Sequence, residues 1–139
     1  MAATESDGMA RCLARLHSDA RGLFLLGKEV AINVIVFVRD PMVVDRLAEK
    51  VVPDLVRGHA TDQPLRIRIA GCSTGEETYS LAMLLREQIG AAKRNIKLQV
   101  FASDVDPDAV ARAREGLYPA AIEADVSAER LARFFTKED

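Results

Sequence analysis

The stretch RIRIAGCSTGEETY, residues 66–79, constrains this chain more than any other. Ile67 and Ile69 alternate with Arg66 and Arg68, the period-two pattern that gives a strand its buried face. Gly71 and Gly75 then bracket a turn whose backbone can adopt φ > 0 and approach a ligand with no Cβ in the way. A helix is expected to start near Gly75. Ser73 or Thr74 can cap it, and Glu76 and Glu77 fall in its first turn, where the helix dipole favours negative charge. Two readings stand side by side: a well-capped helix after a strand, as in any α/β protein, and a ligand-binding strand–loop–helix.

The residue types narrow the ligand. A phosphate-binding loop of the Walker kind needs a Lys–Ser/Thr pair after its second glycine, and here that place holds Glu76 and Glu77, which speaks against a nucleoside triphosphate. The dinucleotide fingerprint has three glycines at a fixed spacing that Gly71 and Gly75 do not match, and the carboxylates would repel a pyrophosphate. A cationic ligand suits the loop better. S-adenosylmethionine, with its sulfonium and ammonium groups, meets that electrostatic requirement.

The rest of the chain is read around this centre. Its 139 residues, 49% hydrophobic and 29% charged, suit one domain or part of one. A net charge of −2 gives no basic footprint for nucleic acid. No apolar run approaches the ~18 residues of a membrane span, and no signal peptide opens the chain, so a cytoplasmic protein without membrane insertion is expected. Cys12 and Cys72 are too few and too far apart for a disulfide framework or a metal cluster, and His17 and His59 are isolated, so no metal is expected. Cys72 is read as a small side chain packed under the turn, since no base stands near it in sequence.

Residues 1–8 are short and polar and read as a disordered N-terminus. Residues 9–64 read as a helical lead-in: one helix from Met9 toward Gly27, an apolar run at 30–38 whose period fits helix or strand, then a helix announced by Asp40 as N-cap and Pro41 as first residue. Val43, Val44, Leu47, Val51 and Leu55 are expected to form its apolar face before it ends near Arg57 and Gly58. After the central loop, Leu81, Leu84 and Leu85 mark the buried side of a helix expected to end at Gly90. Ile96, Leu98, Val100 and Ala102 form a second strand. Asp106 and Pro107 repeat the earlier start device for a helix with Val110 and Ala113 on its apolar face, stopped by Gly116. Ser127 caps a last helix carrying Leu131 and Phe134 inward. Helix, strand, helix, strand, helix is the opening of an open parallel α/β sheet. Asp104 ends the second strand, the place from which such sheets hold a ribose diol; read alone it is a loop carboxylate or a helix cap.

Three segments, NVIVFVRDP (33–41), AGCSTGEETYSLAML (70–84) and FASDVDPDAVARAREGLY (101–118), resemble consecutive signatures of the chemotaxis-receptor protein-glutamate O-methyltransferases. The resemblance runs from about Cys12 to about Phe135. It implies a class I methyltransferase, Rossmann-like parallel sheet preceded by linker helices, and methyl transfer from S-adenosylmethionine to glutamates of a chemoreceptor cytoplasmic domain. It also implies that 33–39 is a helix lining the cofactor site. Asn33 and Arg39 would approach S-adenosylmethionine or S-adenosylhomocysteine, with Arg39 also close to the transferred methyl. Glu77 would face the methionine amino group, and Asp104 would hold the ribose hydroxyls. The chain departs from the family at Ile35, where a threonine is usual, at Val38 in place of an aromatic, at Arg68 in place of an aromatic and at Thr78 in place of a proline. The family also continues past the position matching Asp139 with further strands. Residues 65–139 are therefore expected to be a truncated cofactor-binding α/β domain, inactive alone, with weak or absent cofactor binding and self-association through an exposed sheet edge. The alternative is a non-catalytic remnant or regulatory module that binds a protein partner or a nucleoside.

Overall fold

The structure, a computed structural model, describes residues 18, 19, 36–38 and 40–138. The chain divides into two units, Met1–Val34 and Ile35–Asp139. All elements below belong to the second unit. Apart from Ser18 and Asp19, the helix expected after Met9 lies outside the described residues, as do Asn33, Ile35 and Arg39.

The first helical run starts as the sequence indicates. Asp40 is extended before its proline, and its carboxylate accepts the Val43 N–H at 3.2 Å. Helix α1 (Pro41–Arg46) passes into a π turn (Leu47–Val51) and then into α2 (Val52–Gly58). In the π turn the Val52 N–H reaches back to the Leu47 carbonyl, which inserts one residue and rotates everything beyond it by about a quarter turn. The apolar face therefore differs from the one expected. Val44, Leu47 and Ala48 pack partly buried, but Val52 and Val56 are the buried residues beyond the π turn, while Val51 and Leu55 are 53% and 39% exposed. Val43 is exposed as well. Pro53 supplies the cause: it has no N–H for the Glu49 carbonyl and its ring would press on that carbonyl, so a wider turn relieves the clash. Beyond α2 the Arg94 guanidinium donates to the carbonyls of Val56, Arg57 and His59, satisfying the helix end.

Strands β1 (Leu65–Ala70) and β2 (Leu98–Ser103) pair in parallel, Leu65 opposite Leu98 through Ala70 opposite Ser103. Helix α3 (Glu76–Ala91) connects them. This mixed helix and parallel-strand order is that of a Rossmann-like methyltransferase start. Leu65 is buried and Ile67 and Ile69 are half-buried, so the alternation of β1 is as read. The first core joins Val52, Val56, Leu65, Leu84, Leu85, Ile89 and Ile96. On α3 itself Ser80, Met83, Leu84, Leu85 and Ile89 are buried, whereas Leu81 is only half-buried.

Both ends of α3 correct the sequence reading. Its N-cap is Gly75 at φ 100°, with no side-chain cap from Ser73 or Thr74; the Thr74 hydroxyl turns instead to the Glu76 carboxylate at 2.6 Å. At the other end the helix runs through Gly90 to Ala91. There Lys93, at φ 52°, donates to the Gly90 carbonyl, and Arg94 donates to Ile89 at 3.2 Å, a paired closure that places the left-handed residue three positions later than the glycine.

Helix α4 (Pro107–Glu115) has Asp106 as N-cap, accepting the Asp108 N–H at 3.0 Å, and is closed by Gly116 at φ 65°. Its buried residue is Ala109, with Val110 and Ala113 half-buried. A 3₁₀ turn (Ala120–Ala124) leads to α5 (Ala128–Phe134), capped by Ser127 and tied to α3 by a two-pronged Arg130–Glu87 ion pair at 2.7 and 2.8 Å. A second core gathers Phe37, Met83 and Val126, with Tyr79, Tyr118, Phe134 and Phe135 around them. The helix expected over 33–39 is not continuous: Val36 to Val38 form an irregular turn, with Val38 at φ 55°. Asp40 is extended ahead of Pro41, so no helix runs unbroken through it into α1.

Candidate functional site

The loop after β1 and the end of β2 are built as one piece. The N–H groups of Gly71 and Cys72 both donate to the Ser103 carbonyl, at 2.8 and 3.0 Å, so β1 pairing continues into the loop. Gly71, Ser73 and Gly75 take φ values of 73°, 43° and 100°. Three left-handed residues in so short a span turn the chain sharply from the strand into α3. Asp104 fixes that turn from the other strand. One carboxylate oxygen accepts the Ser73 N–H at 2.8 Å and the other accepts the Asp106 N–H at 2.9 Å.

These N–H donors, Asp106 first and then Ser73, hold the Asp104 carboxyl below the usual carboxylate range, so it is ionised. Burial, and secondly the Asp104 charge, push the Cys72 thiol up. Cys72 is 2% exposed, and a protonated buried thiol is packing rather than a nucleophile.

The two glycines face different surroundings. A Cβ at Gly75 would stand 2.9 Å from the Tyr118 hydroxyl and 3.0 Å from the Ala113 Cβ, whereas a Cβ at Gly71 would meet nothing within 4 Å. Gly75 is thus the packed side of the loop and Gly71 the open side. Tyr118 holds the packed side by donating to the Thr74 carbonyl at 2.8 Å, and Tyr79 donates to Ala113 at 2.8 Å. Burial pushes the Tyr118 phenol well above its ordinary range, so it remains a donor.

Of the six residues singled out from sequence, Gly71, Gly75 and Asp104 come together at the carboxyl ends of the two strands. Glu77 is exposed in the first turn of α3, directly after the loop. Asn33 and Arg39 lie outside the described residues. The donor set suits a nucleoside with a cationic tail: an ionised carboxylate has about four acceptor positions, and the backbone donors around Asp104 do not fill them, which leaves room for a ribose hydroxyl. No cluster of His, Cys, Asp and Glu able to hold a metal occurs among the described residues.

Sequence reasoning missed Phe37, Ser80 and Tyr118. Phe37 is 2% exposed and packs edge-on to Tyr118 with ring centroids 4.9 Å apart. Ser80 accepts the Val38 N–H at 3.1 Å. Only Tyr118 carried a sequence signal, an aromatic closely following the stop glycine Gly116. The contacts of the other two are tertiary and leave no local pattern.

The family described as "CheR methyltransferase, SAM binding domain" matches residues 33–139. The chain is 42% identical over 124 residues to the "Uncharacterized 104.1 kDa protein in hypE 3′ region" of Rhodobacter capsulatus, covering 89% of this chain and 13% of that one. It is 36% identical over 93 residues to a chemotaxis protein methyltransferase of Borreliella burgdorferi, 66% of this chain and 33% of that one. With "Putative methyltransferase Cher3" of Pseudomonas putida it shares 41% over 103 residues, 74% of this chain and 34% of that one. The aligned part is thus about a third or less of each of these relatives.

Proposed function

The chain belongs to the CheR methyltransferase family, matching its SAM-binding domain, and we propose that its strand-end crevice binds S-adenosylmethionine or S-adenosylhomocysteine. The activity proposed with it is methyl transfer to glutamate carboxylates of a chemoreceptor cytoplasmic domain, a reaction of the cytoplasm. No helix among the described residues is long and apolar enough to cross a membrane. The observation that carries the cofactor reading is the Asp104 carboxylate, ionised and bonded to the Ser73 N–H at 2.8 Å beside the open face of Gly71.

In this reading Asp104 accepts a ribose hydroxyl with the lone pairs its backbone donors leave free. Glu77 faces the methionine ammonium and Gly71 and Gly75 shape the loop, while the roles of Asn33 at the cofactor and Arg39 at the cofactor and its methyl are those the family resemblance implies. The bound cofactor supplies an electrophilic methyl on a sulfonium, open to in-line displacement by a carboxylate oxygen. The chain's own contribution is placement of the two partners, which needs no covalent enzyme intermediate. Ile35, standing where the family has a hydroxyl, lowers affinity.

Titration calorimetry of the 139-residue chain with S-adenosylhomocysteine tests the reading. Saturable binding with a dissociation constant weaker than roughly micromolar is expected. Binding that is undetectable at millimolar ligand, or unchanged in Asp104→Ala, would remove the crevice as the cofactor site.

A further inference from the structure

The loop after β1 is gripped at two consecutive residues by the two ends of one later segment. Asp104, where that segment leaves β2, accepts the Ser73 N–H at 2.8 Å, and Tyr118, just past α4 and its stop at Gly116, donates its hydroxyl to the Thr74 carbonyl at 2.8 Å. The second grip acts on a whole peptide unit. The Thr74 carbonyl shares a plane with the Gly75 N–H, which donates to the Cys72 carbonyl at 2.9 Å. Both polar ends of the plane are therefore committed, one to the loop itself and one to Tyr118. Gly75, at φ 100°, has no Cβ to hold the plane by sterics, so its orientation rests on these two hydrogen bonds.

Tyr118 is itself held firmly enough to act as an anchor. Its ring lies edge-on to Phe37 and to Tyr79, with centroids 4.9 and 5.9 Å away. Burial, and secondly the Glu76 charge, keep the phenol protonated, so the hydroxyl stays a donor. On the other side of the peptide, Ser73 sits at φ 43°, a costly value for a residue with a Cβ, so its place must be imposed by its neighbours. We propose that Tyr118 is a positioning residue for the ligand loop: its hydroxyl fixes the Thr74–Gly75 peptide and thereby keeps the adjoining Ser73 N–H on the Asp104 carboxylate. The inference rests on the cofactor reading of the crevice. It gives Tyr118 no contact with the ligand; the residue acts through the loop and the carboxylate that the loop holds.

Tyr79 supplies a matched control. Its hydroxyl also donates to a backbone carbonyl at 2.8 Å, but that carbonyl is Ala113 on α4 and not the loop. Tyr118→Phe and Tyr79→Phe each delete one such bond and keep the ring. The amides of Ser73 and Gly75 should exchange with solvent at least about 10-fold faster in Tyr118→Phe than in Tyr79→Phe, the order expected for one lost hydrogen bond, while the amides of Leu84 and Leu85 stay equally protected in both. S-adenosylhomocysteine should bind several-fold more weakly to Tyr118→Phe than to Tyr79→Phe. Equal exchange of the two loop amides in both variants, faster exchange that extends equally to Leu84 and Leu85, or equal affinity of the two variants for a ligand that the unsubstituted chain binds, would overturn the proposal. Failure of the unsubstituted chain to bind S-adenosylhomocysteine would instead overturn the cofactor reading, and the exchange comparison alone would then decide whether Tyr118 holds the loop.

Discussion

The Asp104 carboxylate accepts the backbone N–H of Ser73 at 2.8 Å and thereby ties the end of β2 to the loop that follows β1. One side chain therefore serves the fold and, in the proposed reading, the ligand. Asp104→Ala leaves the Ser73 and Asp106 N–H groups without their acceptor, a loss of about 1–3 kcal/mol in stability. Chemical denaturation should show this cost even with no ligand present. If unfolding is unaffected, Asp104 does not organise the loop.

The same carboxylate carries a pH dependence. The N–H groups of Asp106 and Ser73 lower its pKa, and the Arg130 hydrogen bonds lower that of Glu87. A carboxyl whose folded pKa lies below its unfolded value stabilises the fold fully above the unfolded value, about 4 for either type. That stabilisation is lost as pH falls through the folded value, because the unfolded chain binds the proton first. Thermal melts are expected to be flat from neutral pH down to about 5 and to drop steeply below 4. In Asp104→Asn combined with Glu87→Gln the drop should be shallower, from a lower plateau. A double variant with an unchanged acid slope would assign the acid sensitivity to other groups.

Much of the fold was legible where the controlling interaction is local. Asp40–Pro41 and Asp106–Pro107 announce helix starts because both the cap and the proline act within one turn, and Gly116 announces a stop for the same reason. What the sequence hid was set at a distance or by a phase shift. The π turn before Pro53 moved the buried face from Val51 and Leu55 to Val52 and Val56, and no periodicity assumed from one end can anticipate an inserted residue. Lys93 took the left-handed place that Gly90 was expected to hold, because the closing hydrogen bonds fall later than the glycine. The places of Gly71 and Gly75 in the loop and of Asp104 at the strand end were readable from motif and pattern. The clamp of Ser80 on Val38 was not, since its partners are 42 residues apart.

Thr78 marks a local conflict. Its hydroxyl oxygen is buried and has no hydrogen-bond partner among the described residues. A buried hydroxyl that has lost water and gained nothing costs about 1–3 kcal/mol. Thr78→Val keeps the shape and a similar helix propensity, so it should raise stability by ~1 kcal/mol. A lower melting temperature in this variant would mean that the hydroxyl has a partner in solution.

The sheet predicts association of the isolated 139 residues. Among the described residues β1 pairs with β2 alone, so both strands present an unpaired edge. Phe101 and Leu117 are 50% and 63% exposed, and Val105 is fully exposed. Arg66 and Arg68 put charge on β1, Arg66 bonding to Gln99 and Arg68 stacking over Phe101 at 5.9 Å, which opposes close pairing without covering the edge. Light scattering over a concentration series is expected to show self-association. A monomer that melts cooperatively at every concentration would show the edges to be sufficiently protected.

The two loop glycines should separate fold from ligand binding. Gly75 sits at φ 100°, and an added Cβ would fall 2.9 Å from the Tyr118 hydroxyl, 3.0 Å from the Ala113 Cβ and 3.2 Å from the Tyr79 ring. Gly75→Ala therefore combines backbone strain with displacement of Tyr118, whose hydroxyl bond to the Thr74 carbonyl would be lost. A destabilisation of about 2–4 kcal/mol is expected, the sum of left-handed strain and one displaced hydrogen bond. Gly71, at φ 73°, carries the strain alone because its Cβ would enter open space, so Gly71→Ala should cost only about 1–2 kcal/mol. That open space is where the cofactor is proposed to approach. Gly71→Ala should accordingly weaken S-adenosylhomocysteine binding out of proportion to its modest effect on unfolding, whereas Gly75→Ala should lose both together. Paired denaturation and calorimetry on the two variants give the comparison. Ligand affinity untouched in a folded Gly71→Ala chain would move the ligand away from that face of the loop.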